Sequence, residues 1–249
     1  MGWLDLRPLD DVHSFSTFFN IPPPEAAAMS PNARLVMQHG YNALEDAGMA
    51  PRSVSGRRWG IFTSLNDSGW REYRFSKLSL QGEGPSASDD SAGGRLAYFL
   101  DLRGPCMDIK TACSSSAVAI HQACRSIEAG DCEAALVIAA TTHLMPSAAI
   151  FRSRAGIGSR SGKCSTFSED ADGFLPSEAC TAIFIQRRRD ISVTPYARIR
   201  GTAVGQDGRS LGFTAPNAAA QADVLQKALT TSGCVPDDIY YYEGKHSLE

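Results

Sequence analysis

The sequence predicts a layered α/β fold, and three observations carry that reading. Apolar runs of strand length alternate with helical patterns along the chain, as they do where helices pack on a sheet. One run, Ala134-Ala135-Leu136-Val137-Ile138-Ala139-Ala140, is apolar throughout, as a strand buried on both faces would be. The chain has 249 residues, 43% of them hydrophobic and 20% charged. Such a chain can bury a substantial core, as one large domain or two small ones.

In chain order, residues 31–48 read as an amphipathic helix entered through Ser30-Pro31 and closed by Gly48. Its candidate core positions are Leu35, Val36, Leu44 and Ala47. Trp59-Gly60-Ile61-Phe62-Thr63 is a strand. Residues 65–92 are rich in Ser, Gly and Asp, and predict a long surface excursion with a short helix near residues 70–80. A strand follows at Met107-Asp108-Ile109-Lys110-Thr111, then a helix that ends at Gly130. Further strands are expected at residues 134–140, 180–186, 197–204 and 239–242, and a helix at 218–232. No internal repeat, linker or low-complexity segment is visible.

Bulk properties exclude several classes. A net charge of −3 argues neither for nucleic acid nor for an anionic membrane surface as a partner, and none is expected. The run Arg187-Arg188-Arg189 abuts Asp190 and reads as a solvated strand end. Seven cysteines, at 106, 113, 124, 132, 164, 180 and 234, include no C-x-x-C pair. That pattern suits a reducing, cytoplasmic setting and gives no zinc signature. The first residues lack the apolar core of a secretory signal, and no stretch reaches the length of a membrane span.

The chemistry concentrates at Asp108-Ile109-Lys110-Thr111-Ala112-Cys113-Ser114-Ser115-Ser116. The strand stops at Cys113 and a helical pattern starts at once, with Ser114, Ser115 and Ser116 as capping oxygens and Ala117, Ile120, Cys124 and Ile127 at helical spacing. A cysteine at such a junction meets unpaired backbone N–H groups and the positive end of the helix dipole, both of which favour thiolate over thiol. A buried structural cysteine is the competing reading from position alone.

Thr111-Ala112-Cys113-Ser114-Ser115-Ser116, preceded by Gly93-Gly94-Arg95-Leu96-Ala97-Tyr98-Phe99-Leu100 and Arg103-Gly104-Pro105, resembles the nucleophile region of β-ketoacyl synthases, specifically the ketosynthase domains of modular polyketide synthases. Upstream, Phe18-Phe19-Asn20-Ile21, Met29-Ser30-Pro31 and Ala43-Leu44-Glu45-Asp46-Ala47-Gly48 are similar to the same family. Downstream, Ser153-Arg154-Ala155-Gly156, Asp170-Ala171-Asp172-Gly173-Phe174, Asp207-Gly208-Arg209-Ser210 and Thr214-Ala215-Pro216-Asn217 continue the series in order. The resemblance implies a thiolase-like fold of two α/β halves. The chain as a whole, residues 1–249, would supply mainly the N-terminal half, without the family's opening strand and with its C-terminal half beyond Glu249.

What the resemblance implies about function is specific. Cys113 would accept an acyl group from the phosphopantetheine of an acyl carrier protein, with its own backbone N–H as one oxyanion donor, for condensation with a malonyl-type extender that loses carbon dioxide. The resemblance implies no cofactor or metal bound by the protein itself. The partners implied are the carrier protein and a second ketosynthase subunit, in a homodimer or a mixed pair. The enolate formed on decarboxylation is stabilised in the family by neutral histidines. At the first of these positions the chain reads Tyr241-Tyr242-Glu243-Gly244-Lys245-His246; Lys245 takes the histidine's place and His246, one residue later, is the candidate. The second histidine and its nearby lysine would lie beyond Glu249. His13, in a leading loop, and His39, His121 and His143 read as structural; His121 lies eight residues past Cys113, about 12 Å along a helix. Two further departures are Ile138-Ala139, where the family usually has Gly-Gly, and Ser177-Glu178-Ala179, where it has Gly-Glu-Gly. The intact nucleophile segment favours an acyltransferase; the histidine departure favours a non-enzymatic module that binds a carrier or pairs with another ketosynthase. By contrast, a cysteine hydrolase would need an oriented Cys–His–Asx set, and no spacing identifies one.

Overall fold

The computed structural model of the protein describes residues 11–77, 88–190, 193–212 and 215–244. Its organising element is β1 (Gly60–Leu65), buried at every residue. On one side β1 pairs in parallel with β2 (Cys106–Asp108), and on the other with β3 (Ala134–Thr141). β4 (Ala179–Gln186) runs antiparallel to β3, so the strand order is β2-β1-β3-β4. The two parallel connections carry helices, as parallel pairing requires.

Strand alternation divides the core into two layers. Ile61 and Leu65 of β1 and Leu136, Ile138 and Ala140 of β3 point to one face. There they meet Val36, Met37 and Leu44 of α3 (Pro31–Asp46) and Leu96 and Leu100 of α5 (Ala92–Leu100). Phe62, Ala135 and Val137 point to the other face, against Ala119, Ala123 and Ile127 of α6 (Ser115–Ala129). The alanines at i and i+4 of α6 let that helix lie close to the sheet.

Most of the expected elements form near the expected places. α3 starts at Ser30, whose hydroxyl accepts from Ala33 N at 3.0 Å, with Pro31 at its first turn. Leu35, Val36 and Leu44 are buried, whereas Ala47 is only partly so. The short helix of the surface excursion is α4 (Trp70–Ser76); the rest of its expected span, residues 78–80, lies outside the described residues. Two further helices, α1 (Val12–Phe19) and α2 (Pro23–Ala28), precede α3, so His13 sits in a helix and not in a loop. Phe15 and Phe19 of α1 join the core beside Tyr41 and Phe99.

The chain divides into two units, residues 1–148 with 177–194, and residues 149–176 with 195–249. The sheet belongs to the first. In the second, the expected helix Ala218–Ser232 forms, capped by the Asn217 side chain, which accepts from Ala219 N and Ala220 N. The strands expected at residues 197–204 and 239–242 do not form; Tyr240 and Tyr241 are exposed. β-branched and aromatic residues favour strands only where a pleated surface is there to receive them, and among the described residues of this unit none is. A tight loop is held by Asp172, which accepts from Ser159 Oγ at 2.6 Å and from the backbone N–H groups of Arg160 and Ser161. These bonds hold its carboxyl below the usual range.

The approach to β2 is set by contacts between main chains. Arg103 N donates to Arg57 O, Gly104 N donates to Trp59 O at 3.1 Å, and Ile61 N donates to Pro105 O at 2.8 Å. A Cβ at residue 104 would fall 2.3 Å from the Trp59 carbonyl oxygen and 2.4 Å from its carbon. Backbone atoms cannot step aside as a side-chain tip can. Gly104→Ala is expected to destabilise the protein by about 1–3 kcal/mol, read as a lowered urea midpoint; an unchanged midpoint would mean that the two chains are not held this closely.

Candidate active site

Parallel pairing brings the carboxyl ends of β1, β2 and β3 to the same edge of the sheet, where sites on α/β sheets form. β2 ends earlier than its apolar pattern suggests. Ile109 N still donates to Thr63 O at 2.8 Å, but Thr111, at φ −128° and ψ 39°, has left the strand. A single 3-10 turn, Ala112–Ser114, then leads into α6. Cys113 is in that turn and exposed.

The serines do a different job from the one expected of them. Ser114 occupies the N-cap position of α6 but makes no side-chain cap bond. Its backbone is already helical (φ −89°, ψ −2°), whereas a capping side chain reaches back from the extended region. The hydroxyls close the nucleophile turn instead. Ser115 Oγ accepts from Thr111 N and donates to Ala112 O, both at 2.7 Å. Ser114 Oγ donates to Thr111 O at 2.8 Å. Between them Ala112 is held at φ 54°. That left-handed conformation costs a residue with a Cβ roughly 1–2 kcal/mol, and the Ser115 hydroxyl bonds the backbone on both sides of it. The sequence carries no sign of this strain, because alanine is not a residue that marks left-handed backbone.

A buried polar set closes the same end of the sheet. Asn32, at the start of α3, donates to Asn66 O at 2.7 Å and accepts from Thr142 Oγ1 at 2.9 Å. It thus ties the residues following β1 and β3 to one side chain. Neither Asn32 nor Thr142 stands out by spacing; an Asn inside the first turn of an apolar helix is the available signal. His143 N donates to Glu178 Oε1 at 2.7 Å. Ile138 is fully buried, and a Cβ at Gly40 would lie 2.9 Å from its Cδ1 and 2.3 Å from Leu96 Cδ2. The bulk present at Ile138 is therefore accommodated where α3 has glycine.

Among the cysteines, burial pushes the thiols of Cys106, Cys124, Cys132 and Cys180 up, Cys180 to about 12. Cys106 is exposed as a residue, yet its sulfur is turned towards α5, 3.2 Å from where a Cβ of Gly93 would be. Burial also lowers the pKa of His39. His39 on α3 and His13 on α1 belong to helices packed on the sheet face opposite α6. His121 lies within α6 and His143 past the end of β3. His246 lies outside the described residues. No group of three potential metal ligands occurs among the described residues, and none of their helices is long and apolar enough to cross a membrane.

Comparison with known proteins places this geometry. Residues 7–191 match the β-ketoacyl synthase N-terminal domain and residues 196–246 the β-ketoacyl synthase C-terminal domain. The chain is 38% identical over 242 residues to polyketide synthase PksN of Bacillus subtilis (strain 168), covering 94% of this chain and 4% of that protein. It is 41% identical over 244 residues to one of the phenolphthiocerol/phthiocerol polyketide synthase subunits of Mycobacterium tuberculosis (strain CDC 1551 / Oshkosh), covering 94% and 13%. Among solved structures it is similar to the oxazolomycin ketosynthase domain OzmH KS7 of Streptomyces albus JA3453 (TM-score 0.82, 34% identity, 90% of this chain and 40% of that one). The ketosynthase from module 6 of the bacillaene synthase of Bacillus subtilis 168 is comparable (TM-score 0.81, 33% identity, 90% and 39%). The chain thus spans about two-fifths of the solved ketosynthases and a small part of the curated relatives.

Exposure at the turn sets Cys113 ahead of Cys106, Cys124, Cys132 and Cys180, whose thiols burial raises, and its place at the start of α6 sets it ahead of Cys164 and Cys234. Limiting iodoacetamide at neutral pH is expected to label Cys113 first, with peptide mapping as the readout. Preferential labelling of Cys164 or Cys234 would show that the turn does not present its sulfur.

Proposed function

The chain belongs to the β-ketoacyl synthase family and has its thiolase-like α/β fold, and from that premise we propose that Cys113 is the acyl-accepting nucleophile of a polyketide-type ketosynthase. The supporting observation is the exposed Cys113 in a hydroxyl-clamped turn at the carboxyl ends of the parallel strands β1, β2 and β3. The thiolate attacks the carbonyl carbon of an acyl thioester carried on phosphopantetheine, with the Cys113 backbone N–H supporting the oxyanion. A new carbon–sulfur bond forms, the thioester bond to pantetheine breaks, and the departing sulfur takes up a proton. An acyl carrier protein is the natural donor. Condensation with a malonyl-type extender is the step for which the family uses this acyl-cysteine. The abundance of free cysteines suits a cytoplasmic setting.

A second copy of this chain, or a related ketosynthase subunit, is the proposed partner of β2. That strand is at the edge of the sheet, it is only three residues long, and Met107 on it is 47% exposed. Pairing of two such edges across a two-fold axis is self-complementary. Light scattering is expected to show a dimer whose fraction rises with concentration; a monomer throughout would defeat this pairing.

The 249-residue polypeptide should separate the two chemical steps. Acylation needs the nucleophile and oxyanion support. Decarboxylation also needs a stabiliser for the developing enolate, and loss of one such donor costs about 10²–10³ in rate. His13 and His39 are on helices of the other sheet face and His121 is well inside α6, while His143, past the end of β3, reads as structural, its backbone N–H bonded to Glu178. With an acyl-pantetheine thioester, intact mass is expected to show one acyl adduct that Cys113→Ala abolishes. With a malonyl thioester added, no β-keto product is expected. A Cys113-dependent β-keto product would overturn that separation and make His246 the first residue to substitute.

A further inference from the structure

We propose that Ser64 is a specificity-determining residue, whose hydroxyl bonds an oxygen on the acyl group held by Cys113 and so favours β-hydroxyacyl over saturated acyl thioesters. Ser64 has that role only if Cys113 is the nucleophile assigned above, and that assignment does not itself use Ser64. Ser64 is on β1 and faces the α6 layer, because strand alternation puts it on the side of Phe62 and not on that of Ile61 and Leu65. Its neighbour on that face, in β3, is Ala139. Both belong to inner strands of the sheet, so pairing at the outer edge of β2 leaves them in place.

Two spacings set Ser64 at the height of the nucleophile turn. Of the buried residues in that layer, Phe62 and Val137 on the sheet and Ala119 on α6 are nearest the carboxyl edge. Ser64 and Ala139 lie two residues further along their strands, about 7 Å. Ser115 lies four residues back along α6, about 6 Å towards the same edge. The Ser115 hydroxyl clamps Thr111 and Ala112, so Ser64 and Ala139 are at the base of the turn that carries Cys113. The rest of this base is apolar or already bonded. Ile109 packs on the same layer, Ala139 presents a methyl, and the Ser115 hydroxyl is taken by the clamp.

The Ser64 hydroxyl is different. Ser64 is only 8% exposed, yet none of the described residues bonds to its hydroxyl. Its oxygen is not among the fully enclosed unpartnered atoms, so the little surface that the residue keeps includes that oxygen. A hydroxyl so far buried without a partner costs free energy that an incoming hydrogen-bonding group recovers. The acyl chain on Cys113 is the group delivered to this base. A hydroxyl on its β-carbon exchanges a hydrogen bond with Ser64, whereas a saturated chain covers Ser64 and leaves it unpaired.

The experiment compares acylation of Cys113 by pantetheine thioesters of butyrate and of each enantiomer of 3-hydroxybutyrate, which share one chain length. The wild type is expected to take one hydroxylated enantiomer about threefold to tenfold faster than butyryl, the range that a single hydrogen bond supplies. Ser64→Ala should take the two kinds of acyl group at equal rates. Because the hydroxyl has no partner in the protein, its removal should leave the urea midpoint unchanged or raise it. Iodoacetamide should still label Cys113 first in the variant. Equal rates in the wild type, or a preference that survives in Ser64→Ala, would sink the assignment of Ser64 alone. A lowered midpoint would show that the Ser64 hydroxyl is bonded within the fold, which overturns it as well. A wild type that takes no acyl group from any of the thioesters would refute the assignment of Cys113, and the role of Ser64 with it.

Discussion

The parallel pairing of β1 with both of its neighbours is the constraint on which the rest of the structure depends. It forces β1, β2 and β3 to deliver their following residues, Asn66, Ile109 and Thr142, to the same edge of the sheet. It also buries β1 completely, so each side chain there must suit one of two apolar layers. The requirement reaches back to the glycine at 104, because a parallel neighbour that begins so close to Trp59 cannot carry a Cβ at that point. Helices then have little freedom: α3 and α5 cover one face, and α6 must start where β2 ends.

That geometry explains why the turn at Cys113 is strained. The chain must leave a strand, reverse its backbone sense and begin a helix within a few residues. One residue in the left-handed region accomplishes the change, and here it is Ala112. Such strain persists only where surrounding bonds over-determine it. The hydroxyl of Ser115 supplies two of those bonds from inside the turn, and Lys110 supplies contacts from outside it. The result is a sulfur on a short, closed segment, set against a helix packed through Ala119 and Ala123.

What was legible in the sequence follows from which forces act locally. β3 could be read from its composition because burial on both faces demands an unbroken apolar run. α3 could be read from Ser30-Pro31 and Gly48 because caps are local chemistry. Cys113 stood out through its neighbours. The strands expected at 197–204 and 239–242 failed because a strand is a relation between two segments, and only one segment is visible in a residue pattern. The role of the serines escapes the sequence for a related reason. A serine before a helix can bond forwards as a cap or backwards into a turn, and the backbone angles of Thr111 and Ala112 decide between these. Those angles have no signature in the residue types present.

The polar residues at the carboxyl edge show where long-range structure carries information that spacing does not. Asn32 and Thr142 are 110 positions apart, yet they share a buried hydrogen bond, and Asn32 also reaches the residue after β1. A buried amide left half-satisfied would cost more than an apolar replacement, so this set holds the ends of β1 and β3 to α3 with a specificity that apolar packing lacks. Ile138 makes the complementary point. Its bulk, where the family resemblance leads one to expect glycine, does not disturb the sheet because Gly40 on α3 leaves the space. The departure is therefore absorbed on the face that carries α3 and α5, across the sheet from α6. The hydroxyl clamp of the nucleophile turn is built on the other layer, from Ser115, Ala112 and the start of α6, whereas the Lys110 contact with Asp90 reaches the turn before α5, on the layer that holds Ile138.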